Sequence, residues 1–423
     1  MKILLKLGFL SLLNRRMTTL LTLVSIALSV ALLVGVERLR VGAKEGFRQT
    51  ISKTDLIVGA RGGPTQLLLY TVFHIGNPAN NISWASYEEF KAHKSVKWTA
   101  PLSLGDSHRG YRVVGTTNDL FAHYQYGGDQ KLRFRAGSGL VGVFSCVLGS
   151  SVAKNLHYQL GTKIVLSHGI VEDGAGFQNH ADKPFTVVGI LQPTGTPLDR
   201  SVFVRLEGVE AIHMDWFDGA PPLPGEGYSK EEILAKDIEI NAITAFFLGA
   251  QNRIDTLALQ REINEYSEEA LSAIIPGVAL GELWDGLGYV EGALLIISAF
   301  VVLTGLMGML ISIYHSLQER RREMAILRSL GAGPWAVFTL LVTEAAFLTA
   351  AGMTVGYLLV WGLVFFGREV VSQHFGVQLP VYFFTEYELY LLAVVFLVGV
   401  SLGVLPALRA YRNTLADGLT IRI

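Results

Sequence analysis

The chain has 423 residues, 50% hydrophobic and only 17% charged, with a formal net charge of −1 and a mean hydropathy of +0.39. That balance argues against an ordinary soluble domain, carries no sign of nucleic-acid binding, and makes a membrane protein the leading class. A single cysteine, Cys146, excludes both an intrachain disulfide and a cysteine-based metal cluster.

Lys2, Lys6, Arg15 and Arg16 precede residues 17–36, an uncharged run of 20 residues. A bilayer core needs roughly 20 apolar residues in a helix, so this run is long enough to span. No small-x-small cleavage site follows it. We read an uncleaved anchor with a cytoplasmic N-terminus, although Arg38, Arg40 and Lys44 on the far side blur the charge asymmetry.

Residues 37–285 contain no second spanning run and have the charge, glycine and turn content of a folded, water-exposed domain. A strand is expected at 54–59, then a glycine-rich turn, Arg61-Gly62-Gly63-Pro64. A helix is expected at 83–93, with Ser86 and Glu89 at capping-box spacing. Strand patterns recur at 111–114, 163–166, 185–191 and 201–204. Residues 242–248 read as a strand, 253–266 as a helix, and the apolar run 270–275 stops at Pro276. Residues 218–228, with Pro221, Pro222 and Pro224, read as a loop. This order suggests an α/β subdomain interrupted by a β-rich insertion.

Three further spans follow, at 292–314, 335–366 and 389–408. Arg320, Arg321, Arg322 and Arg328 follow the second span, and Arg409 and Arg412 the fourth, so both chain ends face the cytoplasm. The expected fold is a membrane protein of four transmembrane α-helices. A large α+β external domain lies between the first and second spans, giving the divisions 1–36, 37–285 and 286–423. Each span carries small residues four apart: Ser25 and Ser29, Gly308 and Ser312, Gly352 and Gly356, Gly399 and Gly403. Such pairs let helices approach closely in lipid, within one chain or between two copies.

Between the second and third spans, residues 318–334 read QERRREMAILRSLGAGP. Glu319 can pair with Arg322 and Arg320 with Glu323, while Met324, Ile326, Leu327 and Leu330 share one helical side. Gly331, Gly333 and Pro334 end the helix. Two readings fit this short basic helix: a positive-inside anchor, or a docking element that takes force from a cytoplasmic partner.

The sequence has no GxxxxGK[ST], HExxH or CxxC. Glu344, an acid within the third span, reads as an interfacial or helix–helix hydrogen-bonding group, or as a functional one. Eight histidines (74, 93, 108, 123, 157, 168, 180 and 213) lie in the external domain without any i, i+4 pair. No metal site is expected from their spacing; scattered surface or core histidines fit it, and so does a site assembled only in space.

The chain resembles the FtsX/MacB-type permeases of bacterial ABC transporters, including the LolC/LolE subunits of lipoprotein-releasing systems. The resemblance rests on LNRRMTTLLT at 13–22, on VLGSSVA at 147–153 followed by LGT at 160–162 and FTVVGIL at 185–191, on 319–333, and on LPALRA at 405–410. It covers roughly residues 10–418, and 319–333 is its most specific part. The resemblance implies a porter-like α/β part with a β-rich insertion in a periplasmic domain, and a non-enzymatic subunit in the bacterial inner membrane. It implies work as a dimer, with ATP and Mg2+ held by a separate cytoplasmic ATPase and no cofactor on this chain. Residues 319–333 would be the coupling helix. Glu319, Arg320, Arg321, Arg322, Glu323 and Arg328 would make docking contacts, Met324, Ile326 and Leu327 would fill a groove of the ATPase, and Gly331 would end the helix. Substrates would be handled at the outer leaflet or in the periplasm, with lipid, a periplasmic adaptor or a cargo protein as further partners. Lipoprotein, peptide and drug are the cargo classes; the alternative is an FtsX-like signalling subunit that controls a periplasmic hydrolase. Residues 62–81 have no counterpart in the family pattern and read as a loop, either for recognition or without a binding role.

Overall fold

The computed structural model describes residues 12, 15–168, 180, 182–216, 227–319, 332–375 and 384–416. Two compact units are present. One is helical (Met1–Gly42, Leu287–Arg368 and Leu379–Ile423), and the other is an α/β unit (Ala43–Gly286 with Glu369–Gln378).

In chain order, α1 (Arg16–Thr50) leads to β1 (Leu56–Ala60), α2 (Pro64–Val72), β2 (Ile82–Ser83), α3 (Trp84–Lys91), β3 (Val96–His108) and β4 (Tyr111–Thr116). Next come α4 (Asn118–His123), β5 (Gln125–Tyr126), β6 (Gln130–Lys131), β7 (Phe134–Gly137), β8 (Ser145–Leu148), α5 (Ser150–Asn155), β9 (Lys163–Ile164) and β10 (Ser167–His168). Then follow β11 (Phe185–Leu191), β12 (Ser201–Arg205), α6 (Leu206–His213), α7 (Lys230–Leu234), β13 (Ala242–Ile243), β14 (Ala245–Ala250), α8 (Arg253–Asn264) and β15 (Leu271–Ile274). The last three helices are α9 (Pro276–Glu319), α10 (Pro334–Phe375) and α11 (Glu386–Ala416).

Among the described residues, four helices are long and apolar enough to cross a membrane: Arg16–Thr50, Pro276–Leu317, Pro334–Arg368 and Glu386–Arg412. Each overruns the apolar stretch that marks it in the sequence. In α1 the extra turns are held by local pairs, with Arg40 bonded to Glu37 at 2.7 Å and Gln49 to Glu45 at 2.7 Å. Pro276 starts α9 at the one turn where a missing N–H costs nothing.

The main sheet of the α/β unit runs β15-β1-β14-β3-β4-β12-β8-β11-β7, with β10 on β3 and β9 on β11. β1 pairs antiparallel with both β14 and β15, so the two ends of the segment close on each other and the middle strands form the insertion. Leu56, Val58, Phe246, Leu248, Leu259 and Ile263 form the core under α3 and α8. Ile57, Leu67, Leu68, Phe247 and Ile274 pack on the opposite face. Full burial of each such side chain contributes about 1.5–3 kcal/mol.

Two expectations need correction, and one strand was missed. Ser83, not Ser86, caps α3: its hydroxyl accepts from the Ser86 N–H, while Glu89 accepts from the Tyr266 hydroxyl at 2.6 Å. Residues 64–72 are a helix rather than a loop, with Leu67, Leu68, Tyr70, Thr71 and Val72 buried. The 13-residue strand β3 went unrecognised because Lys97, Pro101, Gly105 and Asp106 interrupt its apolar pattern. Residues 217–226, most of the proline-rich stretch, lie outside the described residues.

Candidate functional site

The small residues of the spans form real seams, but not all of those the spacing selects. A Cβ on Gly356 would stand 2.4 Å from the Ala27 carbonyl oxygen, and one on Gly352 would stand 2.6 Å from Ile26, so α10 lies tight against α1. Gly399 and Gly403 bring α11 against α10, where a Cβ would meet Thr349 at 2.6 Å and Ala345 at 2.3 Å. On α9 the close approach falls at Gly305, 2.5 Å from the Ser29 hydroxyl, and that hydroxyl donates to the carbonyls of Ser25 (2.8 Å) and Val301 (3.1 Å). Gly308 is exposed with open space around it, and Ser312 is half-buried. On α9 the packed small residue within the chain, Gly305, lies one turn before the pair that the spacing selects.

A charged cluster that sequence reasoning missed ties the four helices together. The Arg38 Nε donates to Glu388 Oε1 at 2.7 Å, and its Nη2 donates to the Tyr357 hydroxyl. The side chain of Glu388 is 1% exposed and that of Arg38 10%. Thr385 and Glu388 cap each other's backbone N–H at 3.2 Å, so the first turn of α11 holds the carboxylate in place. Tyr357 stacks on Phe384 with ring centroids 4.5 Å apart. Two residues further along α1, Arg40 pairs with Glu37 at 2.7 Å and reaches Glu291 on α9 at 3.6 Å. These groups carry no bond-making chemistry: what they do is hold helix positions. Glu344 is buried in the same unit at 4% exposure.

Of the coupling-segment residues, Arg320, Arg321, Arg322, Glu323, Met324, Ile326, Leu327, Arg328 and Gly331 lie outside the described residues. Glu319 is the last residue of α9.

In the α/β unit the ends of two long helices are built into the core. Phe47, near the end of α1, packs on Phe73 at 4.4 Å and on Trp284 of α9 at 5.7 Å. The Thr50 carbonyl accepts from the buried Tyr124 hydroxyl at 2.6 Å, and Ala279 of α9 is 2% exposed. The segment after α2 is pinned to the insertion. His74, at φ +56°, bonds the Ser201 hydroxyl at 2.9 Å, and Arg112 donates to Asn77 at 3.1 Å. Burial, with help from the Arg112 charge, pushes the His74 pKa down to about 3.

Sequence spacing also missed a histidine cluster in the insertion. β10 sets His168 opposite Asp106 on β3, and α6 ends on His213. One nitrogen or oxygen from each of Asp106, His168 and His213 lies within 4.8 Å of the others. His180 and Trp216 pack against His213 at 4.9 and 5.0 Å between ring centroids. Burial pushes His180 down to about 4, whereas the bond to Asp106 raises His168. Beside the cluster, Lys183 is bound to Asp215 at 2.6 Å. Only a search in space can find groups at positions 106, 168, 180 and 213.

Comparison with known proteins gives two family matches. The profile of the MacB-like periplasmic core domain matches residues 19–263, and that of the FtsX-like permease C-terminal domain matches residues 295–415. An uncharacterised ABC transporter permease of Methanocaldococcus jannaschii is 24% identical over 419 residues, covering 93% of this chain and 92% of the relative. Among solved structures, the periplasmic region of MacB from Actinobacillus actinomycetemcomitans aligns with a TM-score of 0.34 at 10% identity, over 55% of this chain and 94% of that one. The extracellular domain of the noncanonical ABC-type transporter YknZ from Gram-positive bacteria aligns with a TM-score of 0.30 at 12% identity, over 52% of this chain and 99% of that one.

Proposed function

Because this chain belongs to the ABC transporter permeases with a MacB-like periplasmic core and an FtsX-like C-terminal domain, we propose that it works as a lever. In this reading a separate ATPase docks on residues 319–333 and drives the helices, which move the α/β domain against periplasmic or membrane-embedded cargo such as a lipoprotein, a peptide or a drug. In this reading ATP is held by the partner ATPase, and the given sequence itself has no GxxxxGK[ST] motif. The chain sits in the inner membrane as one of two permease copies, with both ends and residues 319–333 in the cytoplasm and the α/β domain in the periplasm.

The observation that carries this reading is the course of α1 and α9. Each is a single helix of 35 or 44 residues. Each has an apolar spanning stretch, and each has an end fixed in the α/β core by Phe47, Trp284 and Ala279. An unbroken helix passes a displacement along its length, as rigid-body movements of helices do in switching proteins. The test is hydrogen exchange on the permease with its co-purified ATPase in lipid nanodiscs, with and without ATP and vanadate. Trapping is expected to change exchange at residues 43–50 and 276–286. Unchanged exchange at both helix ends, with ATP turnover intact, contradicts the lever.

A further inference from the structure

We propose that Asp106, His168 and His213 form a binding site for one divalent transition-metal ion of the Zn2+ class, with a fourth coordination position left to water. This goes beyond the lever reading and stands or falls independently of it.

The donor set suits such an ion. Two imidazoles and a carboxylate are typical Zn2+ ligands, and three protein ligands with an open position make up an accessible tetrahedral site. Ligand atoms on one tetrahedral zinc stand roughly 3.3 Å apart, given bonds of about 2.0–2.1 Å. Here His168 Nδ1 is 3.2 Å and His213 Nε2 3.9 Å from the same oxygen, Asp106 Oδ1. Small side-chain movements close that triangle around an ion.

The local backbone is arranged to aim these groups. The β3–β4 register shifts between Leu104 and Ser107, which puts Asp106 in a bulge, and bulges redirect side chains. β10 pairs His168 directly with Asp106 from the other edge of β3. His213 is fixed by its second nitrogen: Nδ1 lies 2.9 Å from the Val209 carbonyl and donates to it, which leaves the Nε2 lone pair facing Asp106. A metal-bound histidine is oriented by a carbonyl in the same way.

Two further observations ask for a ligand. The Nε2 atoms of His213 and of the neighbouring His180 are both buried and have no hydrogen-bond partner among the described residues, an uncommon condition for buried nitrogens. Asp106 is 3% exposed, and its ion-pair partners among the described residues are the two histidines, because Lys183 is taken up by Asp215 and Asp182. An ion at the centre supplies the missing positive charge and an acceptor for the His213 lone pair. The side chain of His168 is 53% exposed and gives the ion a way in from solvent.

The test uses the full chain purified in mild detergent without a histidine tag, stripped with chelator, and titrated with Zn2+ or Co2+. We expect one Zn2+ per chain by equilibrium dialysis, a visible tetrahedral Co2+ band, and a higher thermal midpoint of the loaded chain. Asp106→Asn and His213→Gln are each expected to weaken binding at least tenfold, while His93→Ala, outside the cluster, leaves it unchanged. If a variant loses its fold, X-ray absorption of the loaded wild-type chain decides instead, and two imidazoles in the zinc shell are expected. The proposal is overturned by absence of stoichiometric binding, by binding that folded Asp106→Asn and His213→Gln chains retain, or by a zinc shell without imidazole. Any of these leaves the cluster as ordinary edge-packed rings around a hydrogen-bonded aspartate.

Discussion

Arg38 and Glu388 stand 350 positions apart in the sequence and 2.7 Å apart in space, each nearly sealed from solvent. Their contact joins the end of the first span to the start of the last, and Tyr357 adds the third. A buried pair of this kind serves more to fix one arrangement of helices than to add net stability. It suits a part whose task is to carry position from one end to the other.

Breaking the pair from one side strands a charge. Glu388→Gln and Arg38→Met are each expected to cost about 3 kcal/mol or more and to lower the thermal midpoint in detergent. The double replacement Arg38→Met with Glu388→Met removes both charges and is expected to be milder than either single change. Single variants that match wild type in thermal unfolding would contradict this role.

Glycine replacements separate packed faces from open ones. Gly356→Leu must push its new side chain into the Ala27 carbonyl, 2.4 Å from the first added carbon, whereas Gly308→Leu meets open space. The first is expected to lose roughly 1–3 kcal/mol and the second to leave monomer stability unchanged. Comparing detergent melting curves of the two variants checks it.

Acid sensitivity follows from His74. Its folded value of about 3 lies below the ordinary 6.5, so the unfolded chain takes up the proton first. Stability is therefore unaffected above pH 6.5 and falls as pH drops from 6.5 towards 3, by about 2 kcal/mol at pH 5. His74→Asn keeps a residue that tolerates the positive φ and removes the titration. Its melting temperature is expected to fall less between pH 7 and 5 than that of wild type. Equal slopes would show that His74 does not carry the effect.

What the sequence revealed depended on the range of the interaction. The spans are legible because 20 consecutive uncharged residues such as 17–36 have few other uses. β11, predicted at 185–191, is found at Phe185–Leu191, bounded as its apolar run is. Local signals failed where tertiary packing decides. Gly62-Gly63-Pro64 looks like a turn, yet Pro64 starts a helix because Leu67 and Leu68 have a core to enter. The spacing of Gly308 and Ser312 marks a small-residue face but not the side of the helix that meets α1, which is at Gly305. Neither the Arg38–Glu388 pair nor the grouping of Asp106, His168 and His213 has any periodic trace, because topology alone brings them together.

The central claim, that a separate ATPase drives this chain through residues 319–333, is tested most directly by co-purification. The full chain is isolated from mild detergent, and its companions are identified by mass spectrometry and assayed for ATP hydrolysis. The same is done for a variant with Arg320, Arg321 and Arg322 all changed to Glu. The account predicts a P-loop ATPase bound to wild type and lost from the inserted, folded variant. A wild-type chain that purifies without an ATPase, or a charge-reversed chain that keeps one and works normally, would contradict it.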